Sequence, residues 1–162
     1  MSIRWLIRRD MPKILEIERL CFKDFPWQEE DFLGFLKERN CIGLVHEINN
    51  EIVGFAIYKL NKRNYLLLNL AIHPDYQRQG FGREFINYLY KKLNSRRNKL
   101  EIFVVETNLD AQIFFRNLNF KATHIEKDYF DCGYYFRDAY HFECILGKNL
   151  NNRCFDEVCE GV

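Results

Sequence analysis

Apolar positions along this 162-residue chain change their period several times, and each change marks an element. Ile3 to Ile7 reads as a short opening strand. Asp10 then stands where a helix cap is expected, with Pro12 in the first turn and Ile14, Leu15, Ile17, Glu18 and Leu20 continuing the helix. Phe22 to Trp27 breaks that period, and Gln28 to Glu38 resumes it with Phe32, Phe35 and Leu36 facing inward. Cys41 to Ile48, the turn Asn49-Asn50 and Ile52 to Leu60 predict an antiparallel hairpin. Leu66 to Ile72 is an apolar run suited to a buried strand, ended by the turn His73-Pro74-Asp75-Tyr76. Phe85, Ile86, Leu89, Tyr90 and Leu93 place a helix from Gly80 to Arg96. A strand over Leu100 to Val105 and a short helix over Asp110 to Asn117 follow. Phe120 to Lys127 and Tyr140 to Leu146 close the chain as a second hairpin with a long aromatic connection. No linker, repeat or low-complexity tract interrupts this order.

The segment Gln77-Arg78-Gln79-Gly80-Phe81-Gly82 lies between a strand and the longest helix. A helix N-terminus offers unpaired N–H groups and a partial positive charge, which together suit a phosphate. Gly80 and Gly82 let a ligand approach the backbone, and Arg78 and Arg83 add cations. A Walker loop would need Lys and then Ser or Thr after its glycine, whereas Arg83 and Glu84 follow Gly82. A dinucleotide fingerprint would need a small residue where Phe85 stands. A plain glycine-containing turn is the alternative.

What remains resembles the acyl-coenzyme A loop of the GNAT N-acetyltransferase superfamily, with Gln77, Gly80 and Gly82 matching its pattern. The element order β-α-α-β-β-β-α-β-α-β-β is also that of the superfamily, over residues 3 to 147. The resemblance implies an α/β (α+β) fold: one domain over residues 1–147, with a mixed, mostly antiparallel sheet of about seven strands and four flanking helices. Residues 148–162 would be a polar C-terminal extension. Within the superfamily the chain is most similar to the ribosomal-protein alanine N-acetyltransferases and other protein N-terminal acetyltransferases. Phe25-Pro26-Trp27, the Asn108, Ala111 and Phe120 spacing, and Tyr129-Phe130 carry that likeness. The co-substrate implied is acetyl-CoA. Its pantetheine arm would pair with the strand at Leu70, Ala71 and Ile72, and its diphosphate would sit on Gln77, Arg78, Gln79, Gly80, Phe81, Gly82 and Arg83. Asn108 and Phe115 would flank the arm, and Phe25, Trp27 and Tyr129 would line the acceptor pocket.

Composition narrows the partners. A net charge of +1 argues against nucleic acid or a membrane surface as the main partner. Lys91-Lys92 and Arg96-Arg97 form a local basic cluster, either a solvated helical face or extra attraction for coenzyme phosphates. No apolar stretch approaches the length of a membrane span, and the expected location is the cytoplasm. The six cysteines show no zinc spacing and are expected to be free thiols, so no metal is predicted; Cys154 and Cys159 lie in the polar tail. A monomer or homodimer fits the length.

The chemistry is where the residues fall short. Acetyl transfer needs a neutral amine, in-line placement, oxyanion stabilisation and a proton for the leaving thiolate. The resemblance implies a Glu base on the fifth strand and a Tyr acid on the next helix, but Phe103 and Phe115 hold those positions. Glu101, on the same strand face as Phe103, Glu106 in the following turn and Tyr140 on the last strand are the replacements at hand. Asp128, Asp131, His124 and His141 have lesser claims. A site without a strong base favours an α-amine, with pKa roughly 7.7–8.0, over a lysine at about 10.4. An N-terminal acceptor is therefore expected. A small-molecule amine acetyltransferase and a coenzyme-binding sensor without turnover are the other readings.

Overall fold

Seven strands join in one mixed sheet in the computed structural model, which describes residues 2–147. They are β1 (Ser2–Trp5), β2 (Cys41–Ile48), β3 (Glu51–Leu60), β4 (Asn64–Ile72), β5 (Lys99–Val105), β6 (Lys121–Asp131) and β7 (Phe136–Ile145), in the spatial order β1-β2-β3-β4-β5-β7-β6. Only β4 and β5 run parallel; every other neighbouring pair is antiparallel. The four helices are α1 (Met11–Cys21), α2 (Glu29–Lys37), α3 (Phe81–Tyr90) and α4 (Leu109–Asn117). The fold class, sheet and helix count match the expectation. The proposed extension over 148–162, with Cys154 and Cys159, lies outside the described residues.

Each face of the sheet has its own core. Ile14, Ile17 and Phe32 of α1 and α2 pack on Phe55 and Ile57. Phe85, Ile86 and Leu89 of α3, with Phe115 of α4, pack on Tyr58, Leu67, Leu100 and Phe142. His46 of β2 reaches Glu84 in the first turn of α3 at 2.5 Å, which ties the start of that helix to the sheet.

Several boundaries differ from the sequence reading, each for a local reason. β1 ends at Trp5, because Arg8–Asp10 forms a 3₁₀ turn. Asp10 does not cap α1: its carboxylate accepts from Arg4 and from the Ile7 amide instead. α3 stops at Tyr90 rather than Arg96, because Asn94 Oδ1 captures the amides of Arg96 and Arg97 in a separate turn. The final connection is short, not long: β6 runs to Asp131 and β7 starts at Phe136, through bulges that keep the aromatic run paired.

The decisive irregularity is in β4. Asn69 faces Ile57 and Leu67 faces Tyr58, so Leu68 has no opposite residue on β3. Tyr65 and Leu67 consequently sit in one core while Ala71 sits in the other, which uninterrupted alternation would forbid. β4 and β5 pair from Asn64–Lys99 to Leu67–Ile102 and no further. Past the bulge each strand keeps its other neighbour, β4 with β3 and β5 with β7. The sheet therefore splits open in its middle.

Gly54 on β3 is where this splayed half of β4 comes closest: an added Cβ would stand 2.8 Å from the Ala71 carbonyl oxygen and 2.5 Å from Ile72 Cδ1. Gly54→Ala is expected to destabilise the protein by about 1–3 kcal/mol, read as a lower denaturant midpoint at unchanged slope.

Candidate active site

The split between β4 and β5 opens into a cavity of about 440 Å³. Leu68, Asn69 and Leu70 form one wall and Ile102 to Val105 the other. Phe22, Phe25 and Trp27 from the segment between α1 and α2 close one side, and Asn108 with Phe115 of α4 closes another. Parallel strands that part this way leave backbone N–H and C=O groups facing the gap without a sheet partner, an edge suited to an extended amide-bearing ligand.

At the same end of the sheet lies the loop before α3. The first backbone bond of the helix runs from the Glu84 amide to the Gly80 carbonyl, so earlier amides point outward. Gly80 has φ +94°, a left-handed conformation costly for any side chain, and nothing lies within 4 Å of where its Cβ would be. Arg78 also has positive φ, and its guanidinium reaches Asp110 at the start of α4, 3.3 Å away. Gln77 bonds the Ile72 carbonyl at 2.9 Å and Gln79 the Asp75 carbonyl at 3.0 Å, so the loop is braced from within. Open space at Gly80, outward-facing amides and the nearby Arg78 and Arg83 are the features of a helix N-terminus that favour an anion.

One wall carries a group that the sequence reading passed over. Glu18 of α1 is 1% exposed and lines the cavity. Its Oε1 accepts from the Trp27 amide at 2.8 Å and its Oε2 from Asn69 Nδ2 at 3.0 Å. Burial pushes this carboxyl up to about 7; the Trp27 and Asn69 donors pull the other way, and the charge of Asp31 adds to the rise. A signal for it existed: Met11, Ile14, Glu18 and Cys21 share one apolar helical stripe, where a carboxylate is out of place. Asn69 in the middle of an apolar strand is the same kind of signal. Cys21 also lines the cavity, and burial pushes its thiol up to about 11.

The predicted site residues divide. Leu70, Asn108, Phe115, Phe25 and Trp27 do gather around the cavity, whereas Ala71, Ile72, Gln77 to Arg83 and Tyr129 are not part of its lining. Ala71 and Ile72 follow on β4, and Gln77 to Arg83 on the loop before and into α3. Trp27 also stacks on Phe35 at 4.7 Å, so it serves the core as well, while Phe25 meets Tyr135 edge to face. Phe103 lines the cavity and stacks flat on Tyr129 at 4.2 Å. The three proposed replacements for the missing base do not reach the cavity. Glu101 lies where β4 and β5 are still paired, bonded to Asn64 at the rim of a separate polar cavity with Arg63, Arg96 and Lys99. Glu106 is exposed beyond the end of β5, and Tyr140 turns to the α3 side of the sheet. The basic cluster at 91–97 follows the far end of the ten-residue α3, about 15 Å along the helix from the loop.

This arrangement is that of an acetyltransferase. Residues 11–120 match the family model described as Acetyltransferase (GNAT) family, and the chain belongs to that family. It is 30% identical over 139 residues to the [Ribosomal protein bS18]-alanine N-acetyltransferase of Salmonella typhimurium, covering 85% of this chain and 93% of that protein. The crystal structure of the ribosomal-protein-S18-alanine N-acetyltransferase from Escherichia coli superposes with a TM-score of 0.77 at 28% identity, over 92% of this chain and 97% of that one. A GNAT family acetyltransferase from Elizabethkingia anophelis, solved with acetyl-CoA bound, shares the fold at a TM-score of 0.73 and 18% identity, over 90% and 97% of the two chains.

Two outcomes follow from this geometry. Gly80→Val is expected to weaken acetyl-CoA binding at least about tenfold in calorimetry while the far-ultraviolet spectrum is retained, since a β-branched residue resists positive φ. The Glu18 carboxyl, raised in the folded state, contributes stability below its ordinary value of 4.5 and loses it as pH rises through about 7. The denaturant midpoint of Glu18→Gln should therefore gain on that of the unaltered protein between pH 5 and pH 8; a constant difference would refute the raised carboxyl.

Proposed function

We propose that this protein transfers the acetyl group of acetyl-CoA to the N-terminal α-amine of a protein or peptide. The observation that carries the reading is the parting of β4 and β5 beside an outward-facing helix N-terminus, with an aromatic-walled cavity opening on the other side. Gln77 to Arg83 would hold the diphosphate, the edge of β4 at Leu70, Ala71 and Ile72 would hold the pantetheine arm, and Asn108 and Phe115 would border it. The bound co-substrate supplies an activated acetyl thioester. The chain would supply placement and amides for the developing oxyanion. Phe25, Trp27 and Phe103, the last backed by Tyr129 at 4.2 Å, would give the acceptor peptide an apolar wall. That its relatives are named for acetylating the alanine terminus of ribosomal protein bS18 supports a protein N-terminus as acceptor.

The alternative acceptors make distinct demands. A polyamine site would be expected to gather several carboxylates, whereas here Lys23 and Arg137 line the cavity together with Glu18, Asp24 and Asp131. A lysine acceptor carries a deprotonation handicap of about 2.5 pKa units, a factor of several hundred, relative to an N-terminus. Thiol release from acetyl-CoA should be seen with unblocked peptides and fall by about two orders of magnitude or more when the terminus is blocked and only lysine is offered. Mass spectrometry of the product should place the acetyl group on the first residue. Turnover confined to lysine or to polyamines would overturn the reading, as would coenzyme binding without turnover on any amine.

A further inference from the structure

The cavity that would receive the acceptor lacks a proton-moving side chain on β5 and α4, yet one acidic group is sealed into its wall. We propose that the Glu18 carboxylate receives the acceptor's terminal ammonium and takes one of its protons, doing from α1 what Phe103 cannot do from β5. This rests on the reading of the site as an N-terminal acetyltransferase and adds the missing base to it.

The geometry has three parts. Glu18 lines the same cavity as Phe103, Leu70 and Asn108, between the two strand walls. Each of its oxygens accepts one protein hydrogen bond, from the Trp27 amide and from Asn69 Nδ2, which leaves a lone pair on each for a ligand. No cation lies within ion-pair distance of it among the described residues, so this buried charge has no partner of its own. An alkylammonium would complete it. The charged and titratable groups around it are Cys21 on the next turn of α1, Lys23 and Asp24 in the following loop, Asp31 on α2, and Asp131 and Arg137 across the cavity.

The chemistry balances. A proton passes from the ammonium nitrogen to a Glu18 oxygen, and the nitrogen keeps the electron pair. That pair forms the C–N bond as the C–S bond of the thioester breaks, with the sulfur taking the bonding electrons. The second proton lost from nitrogen goes to the thiolate, and the Glu18 proton returns to solvent. With its carboxyl held near 7, Glu18 lies about one unit below a terminal ammonium but more than three below a lysine, so proton uptake selects for the former about a hundredfold or more. The Trp27 bond adds a second function: the base is fixed to the very loop that borders the acceptor.

The test is a set of pH–rate profiles on the full chain with an unblocked peptide, beside direct acetyl-CoA binding. The unaltered enzyme should show an acid limb near pH 7 and level off above it. Glu18→Gln should bind acetyl-CoA unchanged and lose about tenfold in kcat/KM at pH 7, where about a tenth of the acceptor amine is already neutral. That deficit should shrink as pH rises past the amine's own value, because a neutral amine needs no base. A loss equal at every pH marks a structural role and overturns the proposal, as does an unchanged profile. Asn69→Ala provides the second variant, should Glu18→Gln fail to fold: it keeps the carboxylate but removes a donor to its charged form, so the acid limb moves to higher pH. An unmoved limb overturns the assignment. Turnover with unmoved profiles refutes Glu18 alone, whereas an enzyme with no turnover refutes the acetyltransferase reading and this proposal together.

Discussion

Two parallel strands that stay bonded for four residues and then separate set every later feature of this molecule. A sheet normally satisfies its central strands on both sides, and leaving β4 and β5 unpaired in mid-sheet would be costly without compensation. The residue without a partner at Leu68 makes the separation possible, because it bends β4 and reverses which face its later side chains serve. β3 and β7 hold the two strands from outside, and the two cores grip opposite faces, so the opening is a fixed shape rather than a loose edge. The cavity opens at that separation, lined by Phe22, Phe25, Trp27 and Phe103.

Electrostatics inside it are unusual for an acyl-transfer site. The positions that could carry a base and an acid are phenylalanines, and Phe103 lies within an aromatic and histidine cluster with Tyr129 and His141. Burial lowers the readiness of His141 to take a proton, with Glu101 acting against that effect. Polar chemistry has moved to the other wall, where α1 buries Glu18 against Asn69. An apolar wall opposite a buried carboxylate lowers the local dielectric around Glu18, which strengthens any charge contact made there.

Much of this was legible in the residues. Element order, the two hairpins and the glycine loop followed from periodicity and turn chemistry, because each is set by local sequence. The bulge at Leu68 was not legible: the apolar run Leu66 to Ile72 looks the same with or without one. The end of α3 was misjudged because Leu93 keeps the helical period, while Asn94 stops the helix through a local side-chain bond. Glu101 seemed well placed by strand alternation, but alternation says which face a residue is on, not how far along the split it lies. Glu18 was visible as a carboxylate on an apolar stripe, yet only the packing of α1 against β4 and Trp27 shows what surrounds it.

Cys21 gives the arrangement a further consequence. With acetyl-CoA bound in the cavity as proposed, a free sulfur in its wall would invite a side reaction, the capture of the acyl group by the protein itself. Here burial, aided by the nearby Glu18 charge, holds the thiol near 11, so at neutral pH only about one molecule in ten thousand carries the reactive thiolate. Its S–H is directed to the Ile72 carbonyl at 3.1 Å. The enzyme thus keeps a soft, space-filling side chain in the wall of its reaction chamber without becoming a substrate of its own donor.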